Sequence, residues 1–400
     1  MWDKIGDTGG VKMFDKRICP ICENSSVKKL IHFYYEMPQN SIRPRDVWIV
    51  CCERCGFVFK DVKVAEEKIQ LEENRYESFE QEYIQEFLKK EALLISERFS
   101  EDEYILDVGC STGGLLKQLR MMGFSHLYGL DPSEISCRKA RDAGVMVVQA
   151  SIYDQLNNFN NKFQLIILSQ VLEHLADLDG CMKQLIKWLQ KDGFVYVSVP
   201  MEDKCSQYYG NIASLMCSEH VNHFGIQSLD NLFLKYGFVK RFSVEKQAYG
   251  DTGELHNNDC TSIALIAIYQ LLNFEEKTNY VKDKETEQSV IDLFGQYERR
   301  KECSYYKIET LKASKKKFVI WGLTHMAMSR LNDDLKGLNI VAFTDSDLSK
   351  VGLKISGVPV VSIEEISKIG EEILVMDNNA KISIIESIKK VGLKMPIHVL

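Results

Sequence analysis

The chain has 400 residues, of which 45% are hydrophobic and 27% charged, and its formal net charge is −7. That length supports two or three cores in an ordinary soluble globular protein, and the acidic surplus argues against a general grip on nucleic acid. No apolar run approaches the ~20 residues of a membrane span, and the stretch from Met1 to Lys16 lacks the apolar centre of a secretory signal. A cytoplasmic protein with no membrane partner is expected, and its twelve cysteines then sit in a reducing compartment where C-x-x-C pairs favour metal over disulfide.

Residues 1–75 carry two such pairs, Cys19-Pro20-Ile21-Cys22 and Cys52-Glu53-Arg54-Cys55, with 29 residues between them. Two cysteines at this spacing can turn both sulfurs onto one ion, and the second pair completes a tetrahedral set suited to Zn²⁺. All four positions are sulfur, so a structural zinc is expected, holding together a segment with few large apolar side chains. Reduced cysteines in a small β unit, or a nucleic-acid-binding zinc ribbon, are the alternatives. The ribbon is disfavoured because Lys28, Lys29, Arg43 and Arg45 are partly balanced by acids. A polar stretch from Asp61 to Glu73 then leads into a helix over about Ser78–Phe99, with Tyr83, Ile84, Phe87, Leu88 and Leu94 on its core face.

The most informative stretch is Tyr104-Ile105-Leu106-Asp107-Val108-Gly109-Cys110-Ser111-Thr112-Gly113-Gly114. An apolar run ends in an acid, and small residues open a helical pattern: a strand, a tight turn and a helix N-terminus that offers free N–H groups. Ser111 occupies the second glycine position of G-x-G-x-x-G, so the dinucleotide fingerprint is not met. The stretch resembles instead the first motif of class I S-adenosylmethionine (SAM) methyltransferases. A second strand, Leu127–Asp131, ends in an acid about 20 residues past the turn, where a carboxylate can accept both ribose hydroxyls. A third strand (Val145–Gln149) is followed by Ser151, Ile152 and Asp154. A fourth (Phe163–Leu168) is followed by Ser169, Gln170, Glu173 and His174, and a fifth spans Phe194–Pro200.

This order matches the methyltransferase order over about residues 78–270. The resemblance implies a Rossmann-like α/β sheet in a core spanning 76–272. It also implies SAM contacts from Asp107, Gly109, Cys110, Ser111, Gly113, Asp131, Ser151, Ile152, Ser169, Gln170 and His174.

Ser218-Glu219-His220-Val221-Asn222-His223-Phe224-Gly225 follows the fifth strand. Two histidines and a glutamate so close together make a plausible acid/base cluster. Thr261–Tyr269 is apolar and β-prone and is expected to close the sheet. Glu285–Lys312 reads as one long polar helix, within a helical connector over 273–315, with Val290, Ile291, Leu293, Phe294 and Tyr297 on one side. A smaller α/β unit over 316–400 begins with Phe318–Gly322 and continues with strands at Ile340–Asp345, Ile373–Asp377 and Pro396–Leu400. Thr324 and Ala327 stand where further glycines of a dinucleotide motif would sit, so a second dinucleotide cofactor is not expected.

Taken together, the cysteine module, the methyltransferase core, the Glu-His loop and the C-terminal unit resemble the C-methyltransferases of deoxysugar biosynthesis. Lys350-Val351-Gly352 and Gly357-Val358-Pro359 resemble the pattern of that family's last unit. The resemblance implies a nucleotide-activated sugar as substrate, His220 as the base, Glu219 beside it, His223 in the same cluster and Tyr76 contributing from ahead of the first helix. It also implies that the C-terminal unit lies over the cleft, with Asp377, Asn378 and Asn379 lining it. Two departures bear on the acceptor. Cys217 stands where the family has a tyrosine, and Tyr249–His256 replaces its His-Gly-Gly-Ser stretch, so O- or N-methylation of another small molecule or glycan precursor stays open beside C-methylation.

Overall fold

The computed structural model describes residues 17–38, 41, 44–62, 82–207, 212–247, 263–272, 279–376 and 381–400. Tyr76, the Tyr249–His256 stretch and Asp377–Asn379 lie outside the described residues. The first strands are β1 (Val27–Tyr34), β2 (Asp46–Cys52) and β3 (Val58–Lys60), paired antiparallel in that order. Alternation along β2 sends Val47, Ile49 and Cys51 to one face and Val50 and Cys52 to the other, and both faces are buried. One face joins a core with Val290, Leu293, Phe318 and Ile320, the other a core with Leu229, Leu232 and Phe233. The expectation of a segment poor in large apolar side chains is therefore corrected. Ile31, Phe33, Tyr35, Phe57 and Phe59 are all buried, and cores shared with distant sequence hold them alongside any metal.

The middle of the chain alternates strands and helices: α1 (Glu82–Ser96), β4 (Tyr104–Val108), α2 (Gly114–Met121), β5 (His126–Asp131), α3 (Glu134–Asp142), β6 (Val147–Gln149), β7 (Phe163–Ser169), α4 (Leu178–Trp188) and β8 (Leu189–Pro200). β4 to β8 run parallel, as strands linked by crossover helices must. After β8 come α5 (Ala213–Met216), β9 (Asn222–His223), α6 (Ile226–Lys235), β10 (Phe238–Gln247) and β11 (Ile263–Leu271). The sheet order is β10-β11-β8-β7-β4-β5-β6, with β11 antiparallel to both neighbours. The strand expected to close the sheet is thus next to last. Ile263–Leu271 is apolar on both faces and suits an interior position, whereas β10, with Lys240, Arg241 and Glu245, suits the edge. β9 leaves this sheet altogether and pairs antiparallel with β3.

The single helix expected over Glu285–Lys312 is two, α7 (Glu285–Cys303) and α8 (Tyr305–Ser314), separated at Ser304. Their apolar side is packed. Val290, Leu293, Tyr297, Ile308 and Leu311 are buried in the same core as Ile31, Phe33, Phe318 and Ile320. The last unit contains β12 (Phe318–Trp321), α9 (His325–Arg330), β13 (Ile340–Thr344), a hairpin of β14 (Lys354–Ile355) and β15 (Val358–Pro359), α10 (Ile366–Ile369), β16 (Glu372–Val375), α11 (Lys381–Val391) and β17 (Ile397–Val399). Its sheet is parallel in the order β13-β12-β16-β17. Among the described residues, no helix is long and apolar enough to cross a membrane.

Candidate active site

The turn after β4 is built from left-handed residues. Gly109, Ser111 and Gly113 have φ of 73°, 48° and 76°. Gly109 is required on two counts, because a Cβ there would also lie 2.7 Å from Val171 Cγ2. A pocket opens at this turn, lined by Ile84, Phe87 and Leu88 of α1, by Asp107, Gly109, Cys110, Ser111, Thr112, Gly114 and Leu115, and by Ser169 and Gln170 after β7. Asp131, at the end of β5, accepts the Ser111 N–H at 2.9 Å on one carboxylate oxygen and the Ser133 N–H at 2.8 Å on the other. Burial pushes its pKa up, and these two N–H donors oppose that. Asp107 is buried and held well above the ordinary carboxylate range, first by burial and then by Glu91 and Asp131.

Other expected contacts lie further from the turn. The Cys110 thiol points into the core against Gly129, which leaves its backbone to face the pocket. In the loop after β6, the Ser151 N–H donates to Asp154 at 2.8 Å and the Ile152 side chain is buried in the core. Ser169 donates its hydroxyl to Glu91 at 2.7 Å, and Tyr196 donates to the same carboxylate at 3.0 Å. Gln170 has φ 56° and its side-chain amide reaches Ser198 Oγ at 3.2 Å.

Three residues past Gln170 the chain reaches Glu173 and His174. Their donor atoms and those of His220 all lie within 4.8 Å of one another, and the His174 and His220 rings meet edge to face at 4.8 Å. Glu173 is 2% exposed, and among the described residues neither carboxylate oxygen has a hydrogen-bond partner, the His174 Nε2 standing 3.9 Å from Oε1. Burial pushes its pKa up to about 8, so it is mostly protonated at neutral pH. His220 Nδ1 lies 3.4 Å from Ser214 Oγ, and that hydroxyl donates to Glu202 at 2.6 Å. Glu219 is half-buried beside it. His223 belongs to the buried side of this group. It is 1% exposed, its Nδ1 is 3.6 Å from Glu202, and burial lowers its pKa. Lys60 reaches in from β3, wholly buried, and donates to the Cys217 carbonyl. Burial lowers its pKa to about 8, against the pull of Cys217, Glu202 and Glu219.

The C-terminal unit touches the same loop. His325 Nε2 and Ser218 Oγ are 2.8 Å apart, and the His325 ring meets Tyr35 edge to face. This unit also repeats the acid-tipped strand. Asp345 accepts the Leu323 N–H at 2.8 Å and the Asp347 N–H at 3.0 Å, as Asp131 accepts Ser111 and Ser133. Here, however, Lys350 approaches the carboxylate at 3.2 Å, so the lysine meets the acid from within the unit.

Sequence reasoning did not single out Glu91, Lys60, Glu202 or Ser214. A signal existed for three of them. Glu91 and Lys60 are charges on otherwise apolar faces, and Glu202 is an acid just past the end of a parallel strand, the feature that marked Asp107 and Asp131. Ser214 carried none.

The four cysteines are brought together. Cys19 and Cys55 sulfurs are 3.5 Å apart, Cys22 and Cys52 3.4 Å, and all four lie within 4.8 Å of one another. Zn–S bonds of about 2.3 Å in a tetrahedron would set sulfurs about 3.8 Å apart, so the set fits zinc with small adjustment. The two knuckles share a backbone design. Glu23 and Gly56, each four residues past the first cysteine, have φ of 60° and 78° and donate their N–H back to Cys19 and Cys52. A Cβ on Gly56 would sit 2.0 Å from the Asp283 carbonyl oxygen.

Residues 78–241 match the family described as a methyltransferase domain. The ubiquinone biosynthesis O-methyltransferase of Rhizobium etli is 32% identical over 99 residues, covering 24% of this chain and 40% of that protein. The tRNA U34 carboxymethyltransferase of Aliarcobacter butzleri is 26% identical over 108 residues, or 26% of this chain and 36% of that protein. The chain therefore spans about 40% of the length of the curated relatives it matches first. A SAM-dependent methyltransferase structure from Mesorhizobium loti aligns at 17% identity and a TM-score of 0.38, over 46% of this chain and all but 1% of its own. One from Archaeoglobus fulgidus aligns at 14% and 0.39, over 49% of this chain and 100% of its own. The central part of the chain carries a methyltransferase domain built on a Rossmann-like α/β sheet.

Proposed function

We propose that the whole protein transfers the methyl group of SAM to a small polar acceptor, and that this acceptor is a nucleotide-linked keto-sugar methylated on carbon. The observation that carries the reading is the path of one short loop. Ser169 and Gln170 line the cofactor pocket, and Glu173 and His174 meet His220 a few residues on. When bound, SAM supplies a methyl group made electrophilic by its sulfonium. The chain's part is then to align the acceptor and manage one proton, with alignment supplying most of the rate.

His220 is the base in this reading, with Glu219 and His223 beside it and Tyr76 as a further contributor. It removes the proton next to the carbonyl, and the electron pair left on carbon would then form the new C–C bond to the methyl group as the S–CH₃ bond of SAM breaks and S-adenosylhomocysteine leaves. Asp131 holds the ribose, and the turn at Gly109–Gly113 approaches the amino-acid part. The contact between His325 and Ser218 supports a role for the C-terminal unit on the acceptor side. The four cysteines hold a structural zinc, a set that fits a reducing, cytoplasmic setting, and no nucleic acid or membrane takes part.

The test is methyl transfer from labelled SAM to a nucleoside diphosphate keto-hexose. His220→Ala should lower turnover by about 10²–10⁴ while leaving SAM affinity nearly intact. Unchanged turnover would remove His220 as base. O-methylation is the second reading, favoured by the likeness to proteins named as O-methyltransferases. Exchange of the acceptor's C–H alpha to the carbonyl with D₂O, without SAM, separates the two, because C-methylation alone needs that carbanion.

A further inference from the structure

Three elements converge around His220. Glu202 follows the end of β8, Ser214 lies on α5, His220 precedes β9 and His223 lies on it. The Glu202 carboxylate is 2% exposed. Its Oε1 accepts the Ser214 hydroxyl at 2.6 Å, and the same oxygen is 3.6 Å from His223 Nδ1. Ser214 Oγ in turn lies 3.4 Å from His220 Nδ1. A serine hydroxyl has a single proton. At 2.6 Å from a buried carboxylate that proton belongs to the charge-assisted bond with Glu202. What Ser214 offers His220 is a lone pair, so the shared contact requires an N–H on His220 Nδ1.

We propose that Ser214 and Glu202 are positioning residues that hold His220 in its Nδ1–H tautomer, leaving Nε2 as the basic nitrogen. The inference rests on the reading of His220 as the base and deepens it. When Nε2 takes the proton, the bond from that proton to the acceptor breaks and its electron pair stays on the acceptor. The Nδ1–H then donates more strongly to Ser214, whose own O–H donates to Glu202, so the new positive charge is balanced through the hydroxyl by a fixed carboxylate. Burial by itself raises the Glu202 pKa, yet His223, Ser214 and His220 bring it below the ordinary value. Among the described residues, the titratable groups around His220 include His174 and Glu173 from the loop after β7, Glu202 through Ser214, His223 on β9 and Glu219 beside it in the chain.

The test needs no acceptor. The full-length chain is labelled with ¹⁵N,¹³C-histidine, and the His220 ring is assigned by its disappearance in His220→Gln. Long-range ¹H–¹⁵N spectra then report tautomer and titration midpoint. The wild type should show the Nδ1–H form below saturation with protons. Ser214→Ala and Glu202→Gln should each lose that preference and lower the midpoint by roughly half to one pH unit, while Ser214→Thr, which keeps a hydroxyl, should restore both. Ser214 is only partly buried, so its alanine variant tests the inference even if Glu202→Gln fails to fold. An Nε2–H tautomer in the wild type, or an unchanged tautomer and midpoint in Ser214→Ala, would overturn the inference. Such a result leaves the base reading standing, because that reading fails only if His220→Ala keeps its methyl-transfer rate.

Discussion

Replacing Asp131 with asparagine separates two duties that the structure gives this side chain. Its carboxylate already holds the N–H groups of Ser111 and Ser133, one on each oxygen. The Ser111 tie spans from β5 to a residue held at φ 48°, a conformation that costs a non-glycine residue on the order of 1 kcal/mol and persists only when its surroundings enforce it. Asparagine has one oxygen, so one of the two N–H groups would face an amide NH₂ instead. Hydrogen bonds to charged groups contribute about 1.5–3 kcal/mol. At 1.4 kcal/mol per decade, distortion of the turn alone would weaken cofactor binding roughly 10–100-fold, and loss of a charged acceptor for the ribose would add to it. The assay is titration calorimetry with S-adenosylhomocysteine, run beside thermal melts with and without it. The unligated variant should melt a few degrees lower, and its Kd should rise by at least an order of magnitude. A Kd within twofold of wild type would refute the ribose assignment. An unaltered unligated melt would refute the structural tie.

Other perturbations test other parts of the argument. Gly109→Ala meets a positive φ and Val171 Cγ2 at 2.7 Å, a cost of about 1–2 kcal/mol from the backbone alone. S-adenosylhomocysteine affinity should fall about tenfold, whereas Gly352→Ala, at φ +90° with open space around it, should lower stability without touching that affinity; equal affinities in the two variants would contradict the geometry. Cys52→Ser should abolish bound zinc by elemental analysis and raise amide exchange at Val58 and Phe59 together with their partners His223 and Asn222, and protected β9 amides in the metal-free variant would break that link. Glu173 retains its proton to about pH 8 in the native state against an ordinary value of 4.5, so the unfolded chain binds fewer protons between those limits and stability falls as pH rises through them. Glu173→Gln should therefore be more stable than wild type at pH 8, by a few kcal/mol at most, with the gain shrinking toward zero near pH 4.5; a pH-independent difference would count against a buried protonated carboxyl.

Local signals carried the central domain a long way. The acid-tipped strands at Asp107 and Asp131, the small-residue turn between β4 and α2 and the order of β4 to β8 were all legible, because each depends on neighbours in the chain. Misreadings arose where a segment's partner lies far away in sequence. Ile263–Leu271 reads as a strand from its composition, but that it sits inside β10 follows from an edge strand whose own pattern is mixed. The break at Ser304 has no glycine or proline to mark it. Lys60 drew no reading from the sequence, and only the fold brings it under the Cys217 carbonyl.

Contacts between segments far apart in the chain also meet around the loop that carries His220. Val58 and Phe59 pair with His223 and Asn222. Arg17 donates to the Val221 carbonyl at 2.9 Å, the Ala176 carbonyl at 3.1 Å and Asn222 Oδ1 at 2.9 Å. Asn222 donates back to Leu172 and Leu175 on the far side of the loop after β7. The loop that carries His220 is therefore clamped between the cysteine-bearing sheet and the loop that carries Glu173 and His174, while Ser218 is held from the C-terminal side by His325. A loop of eight residues rich in polar side chains would not hold a ring nitrogen to within a few tenths of an ångström by itself. The β3–β9 pairing and the Arg17 bonds tie that loop to the sheet whose β2 ends at Cys52.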